Sequence, residues 1–185
     1  MDKVRAENAV RELLLALGQD ITSEGLKDTP RRVAEMFIDQ CQDKPAELDK
    51  CFTESFDELI MVRNIPLRGF CEHHLLPYVG KAHIAYIPRD KVLGLSKLVR
   101  LVNNCSRGFT IQERVTREIA DKLYNEIKAL GVAVVLEAVH TCMLARGVKA
   151  SGASATTSAV RGAFRDAPAA RQEFLTLLRR EYPIG

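Results

Sequence analysis

The chain of 185 residues has no apolar run approaching the roughly 20 residues that a membrane-spanning helix needs. Its opening stretch, Met1-Asp2-Lys3-Val4-Arg5-Ala6-Glu7, mixes charges and lacks the apolar core of a secretory signal, so a cytoplasmic protein is expected. A surplus of one charge is missing too. Lysine and arginine number 27 against 24 acidic residues, and a net charge of +3 is too mild to draw nucleic acid through the field of the whole molecule. The five cysteines are odd in number and scattered, which argues against a closed disulfide framework. No internal repeat is visible, and no low-complexity segment beyond a short Ser/Ala/Thr run. With 46% hydrophobic residues, the composition suits one domain, or a domain with an appendage, around a real core.

Hydrophobic spacing divides the chain into a helical start and a mixed remainder. Val4, Val10, Leu13, Leu14 and Leu17 lie on one face of a helix that Gly18 would stop. Thr29-Pro30 announces a second helix, with Thr29 as cap, carrying Val33, Ala34, Met36 and Phe37. Residues 42–56 read as a polar linker. Strands are expected over 60–65, 82–87, 132–139 and at Ala159-Val160, and helices over 96–104, 112–130 and 168–180, with Gly131 ending the longest. This is an α+β chain, with a helical segment over 1–56 and a sheet domain over 57–185. About four strands make an ill-covered sheet whose edges would need pairing with other subunits.

Two clusters stand out chemically, Cys71-Glu72-His73-His74 and His140-Thr141-Cys142. On a strand, His140 and Cys142 would project from one face. Cys71-x-x-His74 has the spacing by which a turn presents a sulfur and a nitrogen to one tetrahedral ion. The best ligand set for Zn2+ is Cys71, His74 and Cys142 with one position open, although His73 or His140 closing the shell is an alternative. Ser96, Lys97 and Arg100 lie near the start of a helix opening after Gly94, where free N–H groups favour an anion, and Arg146 follows Cys142 by four. These read as a phosphate site or as solvated charge. Gln112 and Glu113 suit a base with the donor pattern of guanine, or simply the helix dipole. Cys41, Cys51 and Cys105 read as reduced packing residues.

These residues carry a resemblance. Cys71-Glu72-His73-His74-x-x-Pro77, Gly80-Lys81-x-His83, Gly94-Leu95-Ser96-Lys97-x-x-Arg100, Gln112-Glu113-Arg114 and His140-x-Cys142-Met143-x-x-Arg146-Gly147 are similar to GTP cyclohydrolase I, and the likeness runs over nearly the whole chain. It implies the tunnelling fold, an antiparallel sheet with two long helices, in pentamers paired into a toroidal decamer with active sites between subunits. It also implies conversion of GTP and water to formate and 7,8-dihydroneopterin triphosphate, the entry to folate and pterin synthesis. By that likeness Cys71, His74 and Cys142 hold zinc and His73 and His140 are catalytic. Gln112 and Glu113 would hold the purine. Ser96, Lys97, Arg100 and Arg146 would contact ribose and triphosphate, with Arg32 reaching in from a neighbour.

The departures are few. Gly69 and Phe70 stand where Ser/Thr and a small residue or Met are frequent, Thr110 where glutamine is common, and Glu35 where a base can occur. Two other readings remain at this level: a purine-ring hydrolase that stops at the ring-opened formyl product, and a zinc-stabilised binding module without turnover.

Overall fold

Residues 1–42, 51–54 and 56–180 are described by the computed structural model, and they belong to two units, Met1–Asp43 and Lys44–Gly185. The division falls inside the expected linker, most of which lies outside the described residues. The first unit is a helix pair. Helix α1 (Lys3–Ala16) is capped by the Asp2 carboxylate, which accepts from Arg5 N–H at 2.9 Å. It ends where Gly18 turns to φ 71°. In helix α2 (Thr29–Cys41) the N-cap position falls to Asp28, one residue earlier than expected and without a side-chain cap bond, and the Lys3–Glu35 ion pair at 2.7 Å ties the two helices.

The second unit is built on a five-stranded, mainly antiparallel sheet. A two-residue pair, β1 (Cys51–Phe52) with β4 (Val92–Leu93), stands apart from it. The main strands are β2 (Ile60–Cys71), β3 (Pro77–Ile87), β5 (Phe109–Thr110), β6 (Gly131–His140) and β7 (Ala155–Gly162), in the order β5-β2-β3-β6-β7. Helices α3 (Leu95–Cys105) and α4 (Gln112–Glu126) cover one face, where Leu98, Leu101, Val115 and Ile119 meet Ile84, Val134 and Leu136. On the other face, Phe164 of α6 (Ala163–Asp166) and Phe174 of α7 (Pro168–Arg179) pack on Ala85, Ala133 and Val135. Alternation along β6 therefore feeds two cores, and both its faces are buried. Among the described residues, no helix is long and apolar enough to cross a membrane.

Several boundaries differ from the sequence expectation, and three of them have a clear physical reason. Strand β2 runs six residues past Ile65, because Ile65, Leu67, Gly69 and Cys71 keep the buried alternation going. Pro66 is tolerated because β2 pairs on its outer side only at Phe70 and Cys71, with β5. Helix α4 stops at Glu126, where Lys128 turns to φ 52° without help from a glycine. Gly131 opens β6 instead of ending α4: a Cβ there would lie 3.1 Å from Ala163 Cβ and Phe164.

Near its start β2 carries a bulge, in which Arg63 and Asn64 together oppose His83 of β3. Asn64 sits at φ 57°, and its N–H points at His83 Nδ1 over a long 3.5 Å. That ring nitrogen accepts only while the imidazole is neutral. Burial holds the His83 pKa below its ordinary 6.5, with Glu137 opposing and Arg63 and Lys81 adding to the effect. Below about pH 6.5 the unfolded chain therefore binds more protons than the folded one, and stability falls as pH drops through that range. The His83→Gln variant should lose less urea-midpoint stability than the parent between about pH 7 and pH 5. Equal losses in the two proteins would assign the acid sensitivity elsewhere.

Candidate active site

The end of β2 and the start of β3 form a hairpin that presents Cys71, Glu72, His73 and His74. Cys71 N–H donates to Leu76 C=O at 2.9 Å and Leu75 N–H to Cys71 C=O at 3.0 Å, closing the turn, with Leu75 at φ 55°. Burial works against a charge on the Cys71 sulfur. Backbone N–H groups of Leu76, His74 and His73 and the Cys142 thiol aim at it, and together they hold its pKa below the usual thiol value. His74 Nδ1 is 3.9 Å from Cys71 Sγ.

Cys142 arrives differently from the expected strand geometry. Strand β6 ends at His140, and Thr141–Ala145 forms a single helical turn, α5, so Cys142 lies on a helix. Thr141 Oγ1 donates to Pro77 C=O at 2.6 Å and pins that turn against the hairpin. The ligand atoms of Cys71, His74 and Cys142 lie within 4.8 Å of one another. Burial, then the neighbouring Cys71 sulfur, pushes the Cys142 thiol up, so Cys71 is the more acidic of the two sulfurs. Two sulfurs and one imidazole nitrogen are a donor set that fits zinc and leaves a fourth position open. Among the described residues, neither His73 nor His140 joins this group.

His140 has other company. Its Nε2 meets Gln112 Oε1 at 2.8 Å, and its ring stacks on Tyr78 with centroids 4.9 Å apart. Burial lowers its pKa, against a smaller pull from the Glu113 carboxylate. Tyr78 is itself held by Thr110 through a 2.7 Å hydroxyl pair. A Cβ on Gly69 would sit 2.3 Å from the Tyr78 ring and hydroxyl, so the glycine that looked like a departure makes room for the ring under His140. Thr110, a second departure, supplies that ring's anchor. His73 is exposed, with its ring edge-on to His74 at 6.3 Å.

The remaining candidates separate. Glu113 is exposed in the first turn of α4, whereas Gln112 is 2% exposed and buried behind His140. Arg146 reaches the metal group, its Nη1 donating to His74 Nε2. Ser96 and Lys97 belong to the start of α3, which lies elsewhere. Leu95, the first residue of α3, lines a groove with Met61, Val62 and Asn64 at the opposite end of β2 from Cys71. Seven residues of strand make that separation about 23 Å. Lys97 is also buried, at 7% exposure. Arg32 belongs to the first unit and pairs with Asp28 at 3.5 Å.

One tie escaped the sequence reading. Arg114 grips both carboxylate oxygens of Glu72, at 2.9 and 3.3 Å, and so joins the metal hairpin to the helix that carries Gln112 and Glu113. The residue types in Gln112-Glu113-Arg114 hinted at it, but nothing in the sequence paired Arg114 with a residue 42 positions away.

A family model described as GTP cyclohydrolase I matches residues 6–179. A protein named GTP cyclohydrolase 1 from Carboxydothermus hydrogenoformans is 48% identical over 189 residues, spanning 100% of this chain and 98% of its own. Namesakes from Mycobacterium ulcerans (50% over 186 residues, 97% and 92% covered) and Rhodopirellula baltica (47% over 184 residues, 97% and 80% covered) are similar to the same extent.

Proposed function

The chain belongs to the GTP cyclohydrolase I family and is a GTP-opening enzyme, and on that premise we propose how its residues convert GTP and water to formate and 7,8-dihydroneopterin triphosphate, the first step towards folates and pterins. Cys71, His74 and Cys142 hold Zn2+, and their convergence within 4.8 Å is the observation that carries the reading. When bound, the ion supplies Lewis-acid activation of water at neutral pH. Glu113 accepts hydrogen bonds from the donor edge of guanine and orients the base. His73, between Cys71 and His74 in sequence, and His140, two residues before Cys142, move the protons of imidazole-ring opening and formate release, since imidazole exchanges protons near neutral pH. Arg146, beside His74, meets a phosphate of the substrate.

The triphosphate needs more cations than Arg146, and in the same chain the start of α3, with Ser96 and Lys97, lies beside the far end of β2. This supports a site completed by Ser96, Lys97 and Arg100 of a neighbouring copy, with Arg32 reaching in from a neighbouring subunit. The sheet edges point the same way. Strand β7 ends the sheet on one side, and β2 pairs outward only at Phe70 and Cys71. Pairing along those edges would close the tunnelling fold into a toroidal decamer of two pentamers.

Zinc-loaded protein incubated with GTP and then oxidised is expected to yield formate and a fluorescent pterin. Both should disappear with chelator and return with added zinc. A formylated ring-opened product without free formate would instead mark a hydrolase that stops half-way. No product at all from a folded, zinc-loaded oligomer would sink the proposal.

A further inference from the structure

Gln112 has almost nothing left to offer a purine. Its Nε2 lies 3.1 Å from Leu136 C=O, 3.0 Å from Ala155 C=O and 3.1 Å from Thr157 Oγ1. The two carbonyls can only accept, so the amide nitrogen must face them: the reverse orientation would set Oε1 against two backbone oxygens in a site that is 2% exposed. With the nitrogen fixed there, Oε1 is the atom that faces His140 Nε2 at 2.8 Å. An amide oxygen only accepts, so His140 Nε2 must carry a hydrogen. The neutral ring then keeps its lone pair on Nδ1 alone. Tyr78 stacks on the ring at an interplanar angle of 21° and resists its tilt. Thr116, one turn along α4, bonds both Gln112 C=O (2.7 Å) and Thr157 Oγ1 (2.6 Å), which fixes the helix start to β7.

We propose that Gln112 is a positioning residue: it locks His140 as the Nε2–H tautomer and leaves Nδ1 as the one nitrogen able to take a proton. The role assigned to it by family likeness, holding the purine, falls to Glu113. This inference rests on His140 being a proton-transfer group in the proposed reaction. The logic is that of any catalytic imidazole whose partner fixes which nitrogen carries the hydrogen, where the wrong tautomer can cost up to about 10,000-fold in rate.

Two measurements test it. In zinc-loaded protein labelled with 15N-histidine, long-range 1H–15N correlation reads the tautomer of each of the four imidazoles, and a His140→Gln variant assigns the signal. The expected pattern is a protonated Nε2 and a bare Nδ1. A protonated Nδ1, or a mixture of tautomers, would overturn the proposal. Because this needs no change at Gln112, it decides the point even where a Gln112 variant folds poorly. The second measurement uses Gln112→Met, similar in shape without donor or acceptor. It should lower kcat about 100-fold, leave KM for GTP within about twofold, and mix the tautomers of His140. A raised KM with kcat unchanged would return Gln112 to purine binding. Failure of the parent protein to turn over GTP would remove the proposed function but leave the tautomer readable.

Discussion

Replacing Cys142 by alanine is expected to lower GTP turnover about 1,000-fold or more, some 4 kcal/mol of transition-state stabilisation, while the protein stays folded. The separation of the two effects follows from where the residue sits. Cys142 is only partly buried, in the first turn of α5, and that turn is pinned by Thr141 to Pro77 regardless of the thiol. Its sulfur, with those of Cys71 and the nitrogen of His74, makes the only cluster of metal-ligand type found among the described residues. Zinc stoichiometry should fall with activity, and circular dichroism should not change. Cys105→Ala is the matched control. That thiol is buried against α4 with its pKa pushed up to about 12, so its loss should cost packing and spare turnover per folded molecule. An alanine at 142 that kept zinc and full activity would rule out the ligand assignment.

Gly80→Ala should be the most damaging single methyl in the chain, costing about 3–5 kcal/mol of folding stability. The added Cβ would fall 1.8 Å from Glu137 carbonyl oxygen and 2.6 Å from Ala138 Cα, both backbone atoms of the adjoining strand. No side-chain rotation relieves that contact, so β3 and β6 would have to part along a ladder that pairs Gly80 with Ala138 and, two rungs on, Tyr78 with His140. Urea unfolding gives the size of the loss, with Gly25→Ala, which meets nothing within 4 Å, expected within about 0.5 kcal/mol of the parent. A Gly80→Ala protein as stable as the parent would mean the two strands are further apart than described.

The sequence disclosed which candidate ligands come together better than it disclosed their geometry. Cys71-x-x-His74 is local, and a hairpin delivers both. A strand argument brings Cys142 to His140's face, and Cys142 does join Cys71 and His74 in the structure, yet it stands on a helical turn, because the strand period ends at His140. Pro66 and Gly69 hid the second half of β2, since both residues normally punctuate a strand and here sit where the outer edge is open. Strand β7 was seen only at Ala159-Val160, because its first residues come from a small polar run with one solvent-facing side. The burial of Gln112 was beyond reach for a different reason. It depends on Leu136, Ala155 and Thr157, 24 to 45 positions away, and no spacing along the chain brings them together. The same applies to the start of α3, which lies beside the bulge of β2, about 23 Å along the strand from Cys71.

The closeness of two sulfurs of unequal acidity at the metal site has a practical cost. Cys71, the more acidic thiol, lies within 4.8 Å of Cys142, and that is the arrangement in which an oxidant joins one sulfur to the other. Protein stripped by chelator will therefore lose activity to air through a Cys71–Cys142 disulfide. Reductant has to be present before zinc is added back, and storage as the metal-loaded form is the safeguard.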